Sequence, residues 1–372
     1  MPQAGLPDFA DDLARALDAC GAGRVDIPVI QPAEPFLDMA GEDLRRRIFL
    51  TESETGESLC LRPEFTIPVC RAHIAENVAT PRRYSYLGKV FRQRRDGASE
   101  FFQAGVEDLG EVDEAQSDAR ALAEARALIA SFAPSCEPAV TLGDQSVFEA
   151  VIAGLGLPAG WQKRLIHAFG NAQALDTMIA RLASPDQASD PDPSVAGFLA
   201  RGDVAGLEDH ITAVMEATGY STHASRSPTE IAARLMEKQA LDATRLPPGS
   251  LDALKSFLAL DLPLDRAADA LTDFAATAGL DIGDARTRFA ARLDALRAAG
   301  EDLSAIRWRA AFGRPLDYYT GLVFEVAAGE GGPVLAGGGR YDRLMTLLGA
   351  RQSIPAVGFS LWLDRIESAR AG

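Results

Sequence analysis

Residues 7–19 place Phe9, Leu13 and Leu17 on one helical face, with Gly21 beyond them as a stop, so the chain opens with an amphipathic helix. From 24 to 110 the pattern shortens into β-rich runs separated by turns: VDIPVI, RIFL, SLCLRP, RRYSYLGKVF and EFFQAGVEDLG. Helical spacing returns over 111–132, where Leu122, Ala125, Ile129 and Phe132 share a face and Pro134 ends the run. PAVTLGD at 138–144 predicts another strand.

The texture changes again over 145–301. This stretch is rich in Ala and Leu, poor in β-branched runs, and broken by DPDP (190–193) and LPPG (246–249). Several helices fit, the last over 284–298 with Phe289, Leu293 and Leu296 on one face. Strands then resume. Ile306, Trp308, Ala310 and Phe312 alternate with Arg307, Arg309 and small residues, the period of a half-buried strand. YYTGLVFEVA predicts a second strand, Gly329–Gly332 a turn, Gly337–Gly339 a tight backbone passage into the helix of RYDRLMTLLG, and AVGFSLWLDRIESAR a strand followed by a helix. Strands on both sides of a helical block predict one mixed α+β core interrupted in the middle, with core parts at 1–144 and 302–372 and a helical insertion at 145–301.

Composition adds limits. With 47% hydrophobic and 24% charged residues the chain reads as a folded globule, and its formal charge of −16 disfavours a large nucleic-acid footprint. Arg82, Arg83, Lys89, Arg92, Arg94 and Arg95 still form a local basic cluster. The four cysteines, Cys20, Cys60, Cys70 and Cys136, have no CxxC spacing, so free thiols are expected and no metal site. The acidic N-terminus lacks the apolar segment of a signal peptide, and no apolar run approaches the roughly 20 residues that span a bilayer. A soluble, cytoplasmic protein is the expectation.

Four stretches stand in order along the chain: LRPEFTIPVCR (61–71), VFRQRRDGASEFFQAGVEDLG (90–110), GRPLDYYTGLVFEV (313–326) and GGGRYDRL…AVGFSLWLDRI (337–366). Taken singly they have plain readings: paired tyrosines that pack, Glu64 as a surface partner of Arg62, a glycine run that only turns. In order and spacing they resemble the class II aminoacyl-tRNA synthetase core, specifically histidyl-tRNA synthetase, over essentially the whole chain. The resemblance implies an α+β fold, a class II aminoacyl-tRNA synthetase-like antiparallel sheet flanked by helices with a helical insertion. It also implies a pocket for free L-histidine formed by Glu64, Arg92, Gln103, Glu107, Arg314, Tyr318, Tyr319 and Tyr341. Glu64 and Gln103 would accept from the ammonium, and Arg92 and Arg314 would hold the carboxylate, which guanidinium pairs bidentately. Glu107, Tyr319 and Tyr341 would hold the ring nitrogens and wall the pocket. The match of IPVIQPAEPFLD, with Pro32, to the class II dimer motif is loose.

The chain departs from that pattern in three places. Arg94 stands where an active synthetase of this class carries the carboxylate that reads adenine, in a loop shorter than the usual one. Trp362 replaces the glycine over which the nucleotide passes, and an indole of about 200 Å² fills space there. In the same motif Asp364 replaces the usual Glu and Arg365 is retained, and six residues follow Ile366 where the enzyme continues into an anticodon-binding domain. The amino-acid half of the site is thus expected to survive without the ATP and tRNA halves. That combination resembles the ATP phosphoribosyltransferase regulatory subunit family, paralogues of the synthetase without aminoacylation activity. It implies a short-form catalytic subunit as partner in the first step of histidine biosynthesis, a hetero-octamer of about four of each chain, histidine feedback, and neither cofactor nor tRNA. Two other readings are a shortened enzyme that adenylates histidine for another acceptor, and a scaffold with a vestigial pocket.

Overall fold

The computed structural model describes residues 5–39, 41–95, 97–183, 192–218, 227–242, 244–314, 316 and 318–371. The strands are β1 (Gly23–Arg24), β2 (Ile30–Pro32), β3 (Leu50–Glu52), β4 (Ser58–Leu61), β5 (Arg82–Phe91), β6 (Glu100–Leu109), β7 (Pro138–Asp144), β8 (Asp261–Pro263), β9 (Ile306–Arg309), β10 (Leu322–Ala328), β11 (Val334–Arg340) and β12 (Ala356–Trp362). Before β7 come helices α1 (Ala10–Ala19), α2 (Glu34–Met39), α3 (Gly41–Arg45), α4 (Thr66–Glu76) and α5 (Glu114–Phe132). After it come α6 (Gln145–Gly154), α7 (Ala159–Ala168), α8 (Ala172–Ala183), α9 (Pro193–Arg201), α10 (Val204–Thr218), α11 (Pro228–Asp242) and α12 (Pro248–Leu258). The last four are α13 (Ala267–Ala278), α14 (Gly283–Ala298), α15 (Asp342–Leu347) and α16 (Leu363–Ala371).

Nine strands form one sheet in the order β1-β5-β6-β12-β11-β10-β7-β9-β8, antiparallel except for the pairs β1–β5 and β7–β9, and β2-β4-β3 form a small second sheet. Two compact units result. Met1–Val151, Phe169–Asn171 and Ser256–Gly372 make the first, which holds both sheets; Ile152–Ala168 and Ala172–Lys255 make the helical second. The helical block drawn over 145–301 is therefore wider than the second unit. Helices α13 and α14 lie in the first, where α14 sets Phe289 against Trp308 of β9, ring centroids 5.5 Å apart. Part of the DPDP stretch lies outside the described residues, and its Asp192 caps α9 through the Ser194 N–H.

Several local expectations change. Only the ends of VDIPVI and RIFL are strand, in β2 and β3, since Pro28 offers the ladder no N–H. TIPVCRAHIAE, inside the β-rich stretch, is helix α4: the buried Glu64 carboxylate accepts from the N–H groups of Thr66 at 2.7 Å and Ile67 at 2.9 Å, two donors that a helix start leaves unpaired. YYTGLVFEVA becomes strand only from Leu322. The tight passage at Gly337–Gly339 is a close approach of strands rather than a turn: these are extended residues of β11, paired with Ser360, Phe359 and Gly358 of β12.

A buried ionic cluster ties helices to the sheet. Asp118 of α5 accepts from Arg292 Nε of α14 at 2.6 Å and from Arg340 Nε of β11 at 2.8 Å, while Arg292 Nη1 reaches Asp144 of β7 at 2.6 Å. Burial pulls the Arg292 guanidinium toward deprotonation, and Asp144 and Asp118 more than offset it, so the net shift is upward. Removing one member of such a cluster strands the others without water. Asp118→Ala should lower unfolding free energy by about 3–5 kcal/mol, read as a reduced urea midpoint.

Candidate functional site

The centre of the large sheet is shaped by what its glycines omit. Gly358 of β12 pairs with Glu107 of β6 on one side and Gly339 of β11 on the other. A Cβ on Gly358 would collide with the Glu107 carboxylate, one on Gly337 with the Arg314 guanidinium, and one on Gly105 with the Tyr86 hydroxyl. The sheet can carry these large polar groups against its backbone only because those positions have no side chain.

Above this floor lies a cavity with about 80 Å³ of room for the centres of water-sized spheres. Seven of the eight residues expected at the site line it: Glu64, Arg92, Gln103, Arg314, Tyr318, Tyr319 and Tyr341. The aromatic wall is continuous. Tyr318 lies 5.0 Å from Tyr319 and meets Tyr341 edge-on at 5.8 Å, centroid to centroid. Arg92 is anchored by its Nε to the Pro63 carbonyl at 2.6 Å; burial lowers it to about 10, with Glu64 opposing, so it stays charged near neutrality. Arg314 Nη1 is set by Glu325 at 2.9 Å and the Phe324 carbonyl at 3.3 Å.

Glu64 is not the surface partner of Arg62. Both are buried, Glu64 caps α4, and Arg62 donates to the carbonyls of Ile27 and Lys89 while lying over the Phe65 ring. Burial raises the Glu64 carboxyl, against its two backbone donors and Arg92. Glu107, the eighth expected residue, does not line the cavity. It reaches it through two hydroxyls that do, accepting from Thr66 Oγ1 at 2.7 Å and from Tyr341 Oη, with Tyr86 Oη at 3.4 Å behind. When Glu107 is ionised each of these hydroxyls donates to it and turns lone pairs outward; when it is protonated it donates to one of them. Gln103 is fully buried, and neither its Oε1 nor its Nε2 has a hydrogen-bond partner among the described residues.

Thr66, Arg47, Leu44, Leu316 and Ser360 also line the cavity and went unrecognised in the sequence. Thr66 had a signal, two residues after Glu64 in RPEFT; Arg47 and Leu44 had none, because the chain far from the motifs folds back there. Trp362 walls the cavity, with the guanidinium carbons of Arg365 and Arg314 5.1 and 5.7 Å from its ring centroid. Arg94 pairs with Asp364 at 3.0 Å and lies 3.5 Å from the Phe101 ring centroid. Arg365 donates to the Val334 carbonyl at 2.8 Å. Among the described residues no cluster of three or more His, Cys, Asp or Glu could hold a metal ion, and no helix is long and apolar enough to cross a membrane.

Burial, against donation from Tyr341 and Thr66, pushes the Glu107 carboxyl up to about 8. A folded-state value above the unfolded one means the native protein binds the extra proton, so this group's contribution to stability falls as pH rises through that window. Between about pH 4.5 and 8 the slope should approach 1.4 kcal/mol per pH unit. Glu107→Gln should remove it, measured as the difference between wild-type and variant urea midpoints across pH.

A histidyl-tRNA synthetase family profile matches residues 6–218 and 209–366. Proteins named ATP phosphoribosyltransferase regulatory subunit are similar from end to end. That of Rhizobium rhizogenes is 62% identical over 371 residues and that of Allorhizobium ampelinum 63% over 371, each match covering 100% of both chains. That of Agrobacterium fabrum is 61% identical over 370 residues, covering 100% of this chain and 99% of its own. Among solved structures, an ATP phosphoribosyltransferase regulatory subunit/histidyl-tRNA synthetase from Bacillus halodurans superposes with a TM-score of 0.67 at 20% identity, over 100% of this chain and 82% of that one. Histidyl-tRNA synthetase from Nostoc gives 0.63 at 17% identity, over 99% and 74%. These two establish the likeness of fold.

Proposed function

The chain belongs to the ATP phosphoribosyltransferase regulatory subunit family, built on the histidyl-tRNA synthetase fold, and we propose that it serves that enzyme as its histidine-responsive subunit without catalysing a step itself. The observation that carries the ligand is Gln103. A buried amide with neither end paired costs about 1–3 kcal/mol, and it sits in a cavity whose other polar groups complement a free amino acid. Arg92 and Arg314 suit the carboxylate, and Glu64 and Gln103 the ammonium. The outward lone pairs of Thr66 and Tyr341, fixed by Glu107, suit a ring N–H. At roughly 10–15 Å³ per water-sized group, the cavity has the scale of an amino acid rather than a nucleotide.

The absence of catalysis is supported by what stands beside the cavity. Arg94 lies over the Phe101 ring and is held by Asp364, and the Trp362 indole lines the wall. The synthetase resemblance puts the ATP side of the site here, and these side chains support its loss. The regulatory role follows linkage. Histidine changes the activity of a partner only if it binds two states of the complex unequally, and the coupling is reciprocal. The partner is a catalytic ATP phosphoribosyltransferase chain of the short form, in a closed assembly of about four and four, with no part for tRNA.

Two outcomes test this reading. Histidine-dependent ATP–pyrophosphate exchange should stay at background, while phosphoribosyl-ATP formation from ATP and phosphoribosyl pyrophosphate should rise when this chain is mixed with the short catalytic subunit. Exchange abolished by Arg92→Ala, or no stimulation and no complex on mixing, would overturn it. Gln103→Leu separates binding from folding. Removing an unpaired buried amide should leave stability unchanged or raise it, while calorimetry on the complex should find histidine binding weaker by about 1–3 kcal/mol and stimulation preserved.

A further inference from the structure

The second unit carries a feature that the amino-acid cavity does not use. Helices α7 and α11 border a groove lined by Gly160, Lys163 and Arg164 from the first helix, and by Ile231, Arg234, Leu235, Glu237, Lys238 and Leu241 from the second. Among the described residues four cations converge there against one carboxylate, in a chain whose formal charge is −16. Lys163, Arg234 and Lys238 are exposed, and no ion pair among the described residues draws on any of the four. Their helical spacing is regular. Ile231, Arg234, Leu235, Lys238 and Leu241 follow one face of α11 over about 15 Å, at 1.5 Å per residue, with the aliphatic side chains half-buried or buried between the charges.

The groove is preformed. Trp161 is buried and donates its Nε1–H to the Leu241 carbonyl at 2.7 Å, which pins α7 to α11. At the same end a Cβ on Gly160 would come within 2.9 Å of Leu241, so the glycine lets the helices close together there.

We propose that this groove receives an acidic, amphipathic helix of the catalytic partner; the inference rests on the regulatory reading above. Charge complementarity selects the occupant. The net charge of −16 repels an acidic segment at long range, and here four cations attract it, which favours docking at this groove. The aliphatic floor selects a protein helix over a phosphate chain, because it offers apolar anchors at helical spacing, and among the described residues no aromatic ring lines the groove for bases to stack on. An apolar stripe of about three turns matches the length of the lining face.

The test uses the full chain and the short catalytic subunit, titrating stimulation of phosphoribosyl-ATP formation with wild type and with Lys163→Glu/Arg234→Glu. The concentration for half-maximal stimulation should rise at least tenfold in the reversed variant and by an intermediate factor in Lys163→Gln/Arg234→Gln, while histidine calorimetry and melting temperature stay at wild-type values. Added salt should weaken the wild-type interaction more than that of the reversed variant. If the reversed variant does not fold, the neutral variant decides. Equal half-maximal concentrations for folded variants and wild type would overturn the docking inference and leave the regulatory reading intact; no wild-type stimulation would instead remove the regulatory reading. A short RNA hairpin that binds wild type and not the variant, with catalytic-subunit affinity unchanged, would assign the groove to nucleic acid and likewise overturn it.

Discussion

One steric exclusion organises the centre of this protein: the Glu107 carboxylate lies where a Cβ of Gly358 would be. Side chains alternate across a sheet, and the Glu107 carboxylate leans over the neighbouring strand where Gly358 leaves the backbone bare. Gly358 supplies that gap beside β6, Gly105 makes room for Tyr86, and Gly337 makes room for Arg314. With the gaps in place, Glu107 gathers the hydroxyls of Thr66, Tyr341 and Tyr86, and their oxygens become the fixed polar surface at one end of the cavity. The same burial that positions Glu107 raises its proton affinity, so geometry and protonation have one cause.

Stiffness comes from a second layer. Asp118, Asp144, Arg292 and Arg340 join α5, α14, β7 and β11 in a buried ionic cluster. Arg340 passes its remaining donors to the half-buried Asp342, Ser117 and the Glu114 carbonyl. Side chains around a small polar ligand hold their places only when their supports cannot relax. Here the supports are backbone pairing on one side and charge pairing on the other.

On the histidyl-tRNA synthetase fold, a small polar cavity stands beside a cluster of Arg94, Phe101 and Asp364, with Trp362 in its wall. An arginine stacked on Phe101 and clamped by Asp364, together with one indole, replaces space with side chain. Arginine suits this task because its planar cation covers an aromatic face while its edge pairs with a carboxylate.

Strands β5, β6, β7, β9 and β12, helices α1 and α5, and seven residues of the cavity wall were legible in the sequence, because each rests on short-range periodicity or on a motif of fixed spacing. Tertiary structure decided the rest. The Glu64 cap that starts α4 is local and was masked by the β-rich texture around it, whereas the glycines of 337–339 lie in a strand approached closely by backbone and side chains distant in sequence. Helices α13 and α14 join the sheet unit because Arg292 meets two aspartates about 150 and 174 residues away in the chain. Glu107 stands behind the cavity rather than in it for the same reason. Local pattern states what a residue prefers, and only long-range packing states what it faces.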